Sequence, residues 1–241
     1  MGEARNFNVV LSEPLPERFT LVVGFPGIGL TGFIDTLLIP PTLVIVDSEP
    51  KPPIRIFKKD MFVIIKSEVP VQNESAIWLG EMIIKWAESM KANKIIILDG
   101  LPTPGRTTVN ERTIVWGLSS NNEGKKILEG LDVKPISKGV IMGVASILFM
   151  ESKKLKIDCY GLFGESFSEF PDMRAAASVI CKFSKLVSIP LEVTDMINMA
   201  SEFEHSYTQQ FSQVNGEPYS AYSVSNVNID GEKSNRPSMY G

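Results

Sequence analysis

Gly27-x-Gly29-x-x-Gly32, with Asp47 twenty residues after Gly27, is the spacing in this chain that most directly names a chemistry. Glycines placed so let backbone amides and a helix N-terminus close on a pyrophosphate, while an acid ending the next strand takes a ribose hydroxyl. The segment before the glycines, Leu21-Val22-Val23-Gly24, reads as a strand, and Leu30 to Leu38 reads as a short apolar helix stopped by Pro40-Pro41. Leu43 to Val46 then reads as a buried strand ending at Asp47. Three features oppose a cofactor: the helix has only nine residues, a double proline interrupts the crossover, and Pro26 removes an amide inside the turn. The competing reading is structural, with Gly24, Pro26, Gly27, Gly29 and Gly32 making a tight strand-to-helix turn where backbone passes close to neighbouring strands.

Other polar clusters are weaker. Asp99, Arg106, Glu111 and Arg112 lie at or just beyond the end of a strand, where a carboxylate and guanidinium site can form, but no nucleophile and base pair off in the sequence, and ion pairs in a solvated loop are favoured. Glu165, Glu169 and Asp172 precede Arg174, an arrangement that suits helix capping and salt bridging better than paired catalytic carboxylates. His205 is the single histidine and stands among Glu202, Glu204 and Ser206, a surface setting. One histidine excludes a histidine-based metal cluster and leaves any Ser-His-Asp mechanism a single base. Cys159 and Cys181 form no Cys-x-x-Cys pair and read as two reduced, mostly buried thiols of a cytoplasmic protein.

The chain ends Met239-Tyr240-Gly241. An apolar residue, a tyrosine and a free carboxylate can act as a docking peptide, in which the side chain packs, the phenol hydrogen-bonds and the carboxylate meets a lysine or backbone amides. Residues 212 to 241 are rich in Ser, Asn, Gly and Tyr and poor in aliphatics, the composition of a flexible tail that gives such a peptide reach.

The elements that position these groups follow from periodicity. Phe7 to Leu11, Phe19 to Val23, Ile54 to Phe57, Phe62 to Lys66, Lys94 to Asp99, Thr113 to Leu118 and Lys156 to Phe163 read as strands. Leu79, Met82, Ile83, Trp86, Ala87 and Met90 recur at helical spacing on one face, with Glu81, Lys85 and Glu88 opposite. Asn122 to Leu128, Val144 to Met150 and Asp172 to about Ser188 complete an alternation of helix and buried strand, which is an α/β pattern. A last helix from Pro190 carries Met196, Met199, Phe203, Tyr207 and Phe211 as a stripe that either finishes the core or forms an oligomer interface. The division is one α/β domain over 1–211, with a mixed central sheet flanked by helices, and a tail over 212–241.

A net charge of -4 and the absence of clustered Lys/Arg with aromatics speak against nucleic acid as a partner. No apolar run reaches the roughly 18 to 20 residues of a membrane span, so no membrane role is expected either.

Gly24-Phe-Pro-Gly-Ile-Gly-Leu-Thr-Gly32, Leu98-Asp-Gly-Leu-Pro102, Gly139-Val-Ile-Met-Gly143 and Pro171-Asp-Met-Arg-Ala-Ala-Ala-Ser178, in this order, resemble the proteasome assembly chaperone 2 family, its archaeal members in particular. The similarity spans roughly residues 8 to 200. It implies a single α/β domain of nucleoside-phosphorylase-like appearance, no enzyme activity, no required cofactor or metal, and assembly into homo-oligomers, with a second family member as a further candidate partner. Archaeal relatives bind the proteasome core particle through a C-terminal hydrophobic-tyrosine-X motif. Met239-Tyr240-Gly241 matches that motif, implying docking to the core particle's α subunits as an assembly chaperone or ATP-independent activator. The alternative is a nucleotide- or nucleoside-binding enzyme using the Gly27 loop.

Overall fold

The structure is a computed structural model that describes residues 8–24, 30–35, 42–69, 71, 73–103, 113–166 and 172–202. The strands are β1 (Asn8–Leu11), β2 (Thr20–Val23), β3 (Leu30–Asp35), β4 (Val44–Val46), β5 (Glu49–Lys51), β6 (Ile54–Lys59), β7 (Phe62–Ser67), β8 (Lys94–Pro102), β9 (Val115–Ser119), β10 (Lys134–Pro135) and β11 (Asp158–Ser166). The helices are α1 (Asn73–Ser89), α2 (Asn122–Gly130), α3 (Val144–Leu155) and α4 (Met173–Val187), followed by helical residues 194–202.

Among the described residues, nine strands form one sheet in the order β1-β3-β6-β7-β2-β8-β11-β9-β10. Its centre, β7-β2-β8-β11, is parallel. The β1-β3-β6-β7 flank is antiparallel, and so is β11 with β9. This is the mixed, helix-flanked α/β domain that the alternation of patterns predicts.

The central strands read as unbroken apolar runs because both of their faces are covered. Leu21, Val63, Ile65, Ile95 and Ile97 face one core with Leu79, Ile83 and Ala87 of α1 and Ala145 and Leu148 of α3. Val22, Ile64, Ile96, Leu98 and Leu162 face the second, with Leu128 of α2 and Val179, Ile180 and Phe183 of α4. Side chains such as Ile83, Ile95 and Leu148, at or near zero exposure, each contribute roughly 1.5–3 kcal/mol by leaving water. Local chemistry sets the helix ends: Asn121 and Asp172 cap α2 and α4 through side-chain oxygens, and Lys156 and Ser188 close α3 and α4 in left-handed conformation.

Two expectations are corrected here. Leu30 to Leu38 does not begin a helix: Leu30–Asp35 is strand β3, paired antiparallel with β1 and β6. Thr31, Phe33 and Ile34 favour extended backbone, Gly32 weakens a helix, and β1 and β6 supply hydrogen-bonding partners on both sides. Leu43 to Val46 is not a buried strand. Among the described residues Val44–Val46 pairs only with β5, in a two-stranded hairpin outside the main sheet, with Leu43 64% and Ile45 71% exposed. The boundary between 211 and 212 lies outside the described residues.

Candidate functional site

The parallel strands β8 and β11 end together, Pro102 beside Ser166, while β2 ends earlier, with Val23 level with Ile97, and the carboxyl ends of such strands are where open α/β sheets place ligands. Gly24 sits there at φ +101, its N–H donating to the Ile65 carbonyl at 2.8 Å. A Cβ on Gly24 would meet the Leu98 carbonyl, so the close backbone approach suggested by the glycine run is present at this residue. Pro26, Gly27 and Gly29 lie outside the described residues, and Gly32 lies within β3. The dinucleotide arrangement needs a helix N-terminus after the glycines, and the chain has a strand there. Asp47 is also displaced from any such role, since it occupies the turn between β4 and β5 at φ 52.

Asp99 is solvent-accessible, yet enough protein crowds its carboxylate for desolvation to push it above the ordinary range, opposed by a 2.8 Å hydrogen bond from the Gly100 N–H. Its intended partners Arg106, Glu111 and Arg112 lie outside the described residues. Glu165 is held in β11 two register positions beyond the neighbour of Asp99. It accepts 2.8 Å from the Trp116 indole N–H, and the Lys134 ammonium lies 5.7 Å from the centre of that ring. Asp172 accepts from the Ala175 N–H at 2.8 Å as the N-cap of α4, and Arg174 reaches Ser201 at 3.0 Å, tying α4 to the last helical segment. Asp172 therefore caps α4, as the capping reading of that cluster predicts, while Glu165 and Arg174 tie neighbouring elements together at this edge; Glu169 lies outside the described residues.

The thiols differ from each other. Cys159 is buried in the first core, and desolvation pushes its thiol up to about 12, so it is protonated at neutral pH and a poor nucleophile. Cys181 is exposed, a correction to the expectation of two buried thiols, because α4 turns Val179, Ile180 and Phe183 inward and leaves position 181 outward. Among the described residues no group of three His, Cys, Asp or Glu side chains could hold a metal ion, and no helix is long and apolar enough to cross a membrane.

The stripe of the last helix divides. Met196 packs on the second core and Ala200 is buried, whereas Met199 is 54% exposed. Phe203, His205, Tyr207 and Phe211, and the terminal Met239, Tyr240 and Gly241, lie outside the described residues. Sequence periodicity does not single out a group of exposed apolar side chains on and beside α1 and α3: Ile77, Trp78, Val140, Met142 and Met150. The only sequence signal for it was an apolar triplet set between Gly139 and Gly143.

Against this geometry, a sequence model described as the PAC2 family matches residues 30–211. PbaA of Pyrococcus furiosus, described as an archaeal homolog of proteasome-assembly chaperone, superposes with a TM-score of 0.77 at 27% identity, over 87% of this chain and 93% of that one. PbaB of the same organism, described as an archaeal proteasome activator, shares the fold with a TM-score of 0.71 at 18% identity, over 86% of this chain and 99% of its own. An uncharacterised protein of Methanocaldococcus jannaschii is 23% identical over 218 residues, 82% of this chain and 87% of the relative.

Proposed function

Because this chain belongs to the PAC2 family, we propose that it is a proteasome-binding protein, an assembly chaperone or ATP-independent activator whose work is recognition rather than catalysis. The observation that carries this reading is the likeness to PbaA across nearly the whole of both chains. The edge chemistry agrees with it, since Glu165 and Arg174 are engaged in tying elements together, Asp172 in capping α4, and the buried thiol is kept protonated.

In this reading the terminal Met239-Tyr240-Gly241 docks in pockets between the α subunits of the core particle. Met239 is the apolar plug, Tyr240 donates through its phenol, and the Gly241 carboxylate pairs with a lysine or backbone amides. The protein assembles with itself, or with a second family member, so that several tails engage one ring and weak single contacts add through avidity. The test is binding of full-length and Met239-to-Gly241-deleted protein to purified core particle, with oligomer mass measured alongside. The truncated protein should keep its mass and lose binding by at least about a hundredfold, the scale of an avidity effect. Equal binding by both proteins would overturn the docking role of the tail.

A further inference from the structure

We propose that the exposed apolar face on α1 and α3 is the surface through which two copies of this chain associate, with α1 of one copy facing α3 of the other. The inference rests on the self-assembly stated above and names the surface responsible. Helix α1 leads into β8 and α3 into β11, and those strands are parallel neighbours, so the two helices run side by side in the same direction. They approach closely at Gly80, where an added Cβ would lie 2.7 Å from the Ile147 Cβ.

Around that seam the surface is apolar. Ile77, one turn before Gly80, and its outward neighbour Trp78 are 47% and 40% exposed, and Met150, one turn after Ile147, is 59% exposed. The segment leading into α3 is anchored by Ile141, which packs on the first core and leaves Val140 and Met142 on either side of it 84% and 75% exposed. Together these side chains present on the order of 400–500 Å² of apolar surface, near the top of what monomers usually leave in one patch. That is half or more of the roughly 800 Å² per partner buried in an interface of standard size.

Charge selects a second copy as the occupant. On α1, Glu81 and Glu88 stand against Lys85; on α3, Lys153 and Lys154 stand against Glu151. The outward side of α1 is thus net acidic and that of α3 net basic. Each helix also holds an internal pair, Lys85 with Glu81 at 3.5 Å and Lys154 with Glu151 at 2.6 Å. A second copy that sets α3 over α1 meets opposite charge at the rim and apolar surface at the centre, the usual anatomy of a stable contact.

The experiment compares oligomer mass of the full chain by light scattering for wild type and the double variant Met142→Asp with Met150→Asp. Both side chains are exposed, so the subunit should keep its melting temperature while the mass falls to half or less. Unchanged mass in an assembling wild type would overturn this surface and leave self-assembly standing through another one. A monomeric wild type would overturn both. A second arm reverses the rim: Glu81→Lys with Glu88→Lys, or Lys153→Glu with Lys154→Glu, should each weaken association about tenfold, and the four changes together should restore it. Failure of the combined variant to recover would overturn the facing of α1 by α3.

Discussion

Gly24 and Leu98 meet backbone to backbone at the carboxyl edge of the sheet: a Cβ built on Gly24 would stand 2.2 Å from the Leu98 carbonyl oxygen. Gly24 also holds φ +101, a conformation that L side chains rarely adopt. Leu98 is buried in the second core and β8 is fixed between β2 and β11, so the carbonyl has little room to retreat. Gly24→Ala should therefore cost about 2–4 kcal/mol, combining strained backbone with the clash. Urea unfolding followed by circular dichroism measures it, and a loss within 0.5 kcal/mol, the usual scatter of surface changes, would show that the strand end yields.

Gly80 offers a contrast in sign. Ala is the better helix former by about 1 kcal/mol, so Gly80→Ala on helical grounds alone should stabilise α1. The Ile147 side chain, 2.7 Å from the built Cβ, reverses this by forcing α1 and α3 apart, at a cost of about 1–3 kcal/mol. The net expectation is destabilisation, and Ile147→Ala in the same chain, which removes Cγ1 and Cγ2 but keeps the Cβ, should reduce the cost of Gly80→Ala. That coupling, read from a double-mutant cycle, separates packing from propensity.

Much of this architecture is legible in the residues. The unbroken apolar runs of β7 and β8 name strands covered on both faces, and the 3-and-4 spacing from Leu79 to Met90 names the buried face of α1. Leu30–Asp35 is the instructive failure. The nine residues Leu30 to Leu38 are too few for periodicity to decide between helix and strand, and the glycines before them match the approach to a helix. What decides is tertiary: β1 and β6, distant along the chain, flank the segment and supply its hydrogen bonds. The exposed side chains at Val140 and Met142 were hidden for a similar reason. Which residues of an apolar triplet face inward depends on how Ile141 is seated, and local pattern does not record that.

The Arg55–Glu68 pair predicts a response to acid. Arg55 is 9% exposed on β6, its guanidinium donates to Glu68, and Lys66 shares the same carboxylate at 2.9 Å. Burial alone would raise the Glu68 carboxyl, but the hydrogen bonds and charges of Lys66 and Arg55 outweigh it and hold it below the ordinary value. A carboxylate depressed in the folded state stabilises fully above its unfolded pKa, and that contribution fades as pH falls through the folded value. Glu68→Gln should lower stability by about 2–4 kcal/mol at pH 7, because it leaves Arg55 buried with its counter-charge removed. The gap between variant and wild type should narrow as the pH is brought from 5 towards 3, near and below the usual glutamate pKa of about 4.3. A gap independent of pH would assign the loss to packing.

Cys159 and Cys181 provide a chemical readout of which face of each element is inward. The Cys181 thiol is exposed on α4, while Cys159 lies in the core with its thiol pushed up to about 12 by desolvation. Near pH 8 a thiolate-specific disulfide reagent should modify one equivalent rapidly, at Cys181, and the second only as fast as the domain unfolds. Cys181→Ser should abolish the fast phase and Cys159→Ser the slow one. The raised thiol also fixes a sign at alkaline pH. Above the ordinary cysteine pKa of about 8.5 the unfolded chain releases the proton while the folded chain keeps it, so stability should fall as pH rises towards 12. Cys159→Ala removes this term, and its stability should change less with pH over that window than that of the wild type. Equal slopes would mean that Cys159 ionises in the folded chain as readily as in the unfolded one, and its reaction at pH 8 would then be fast as well.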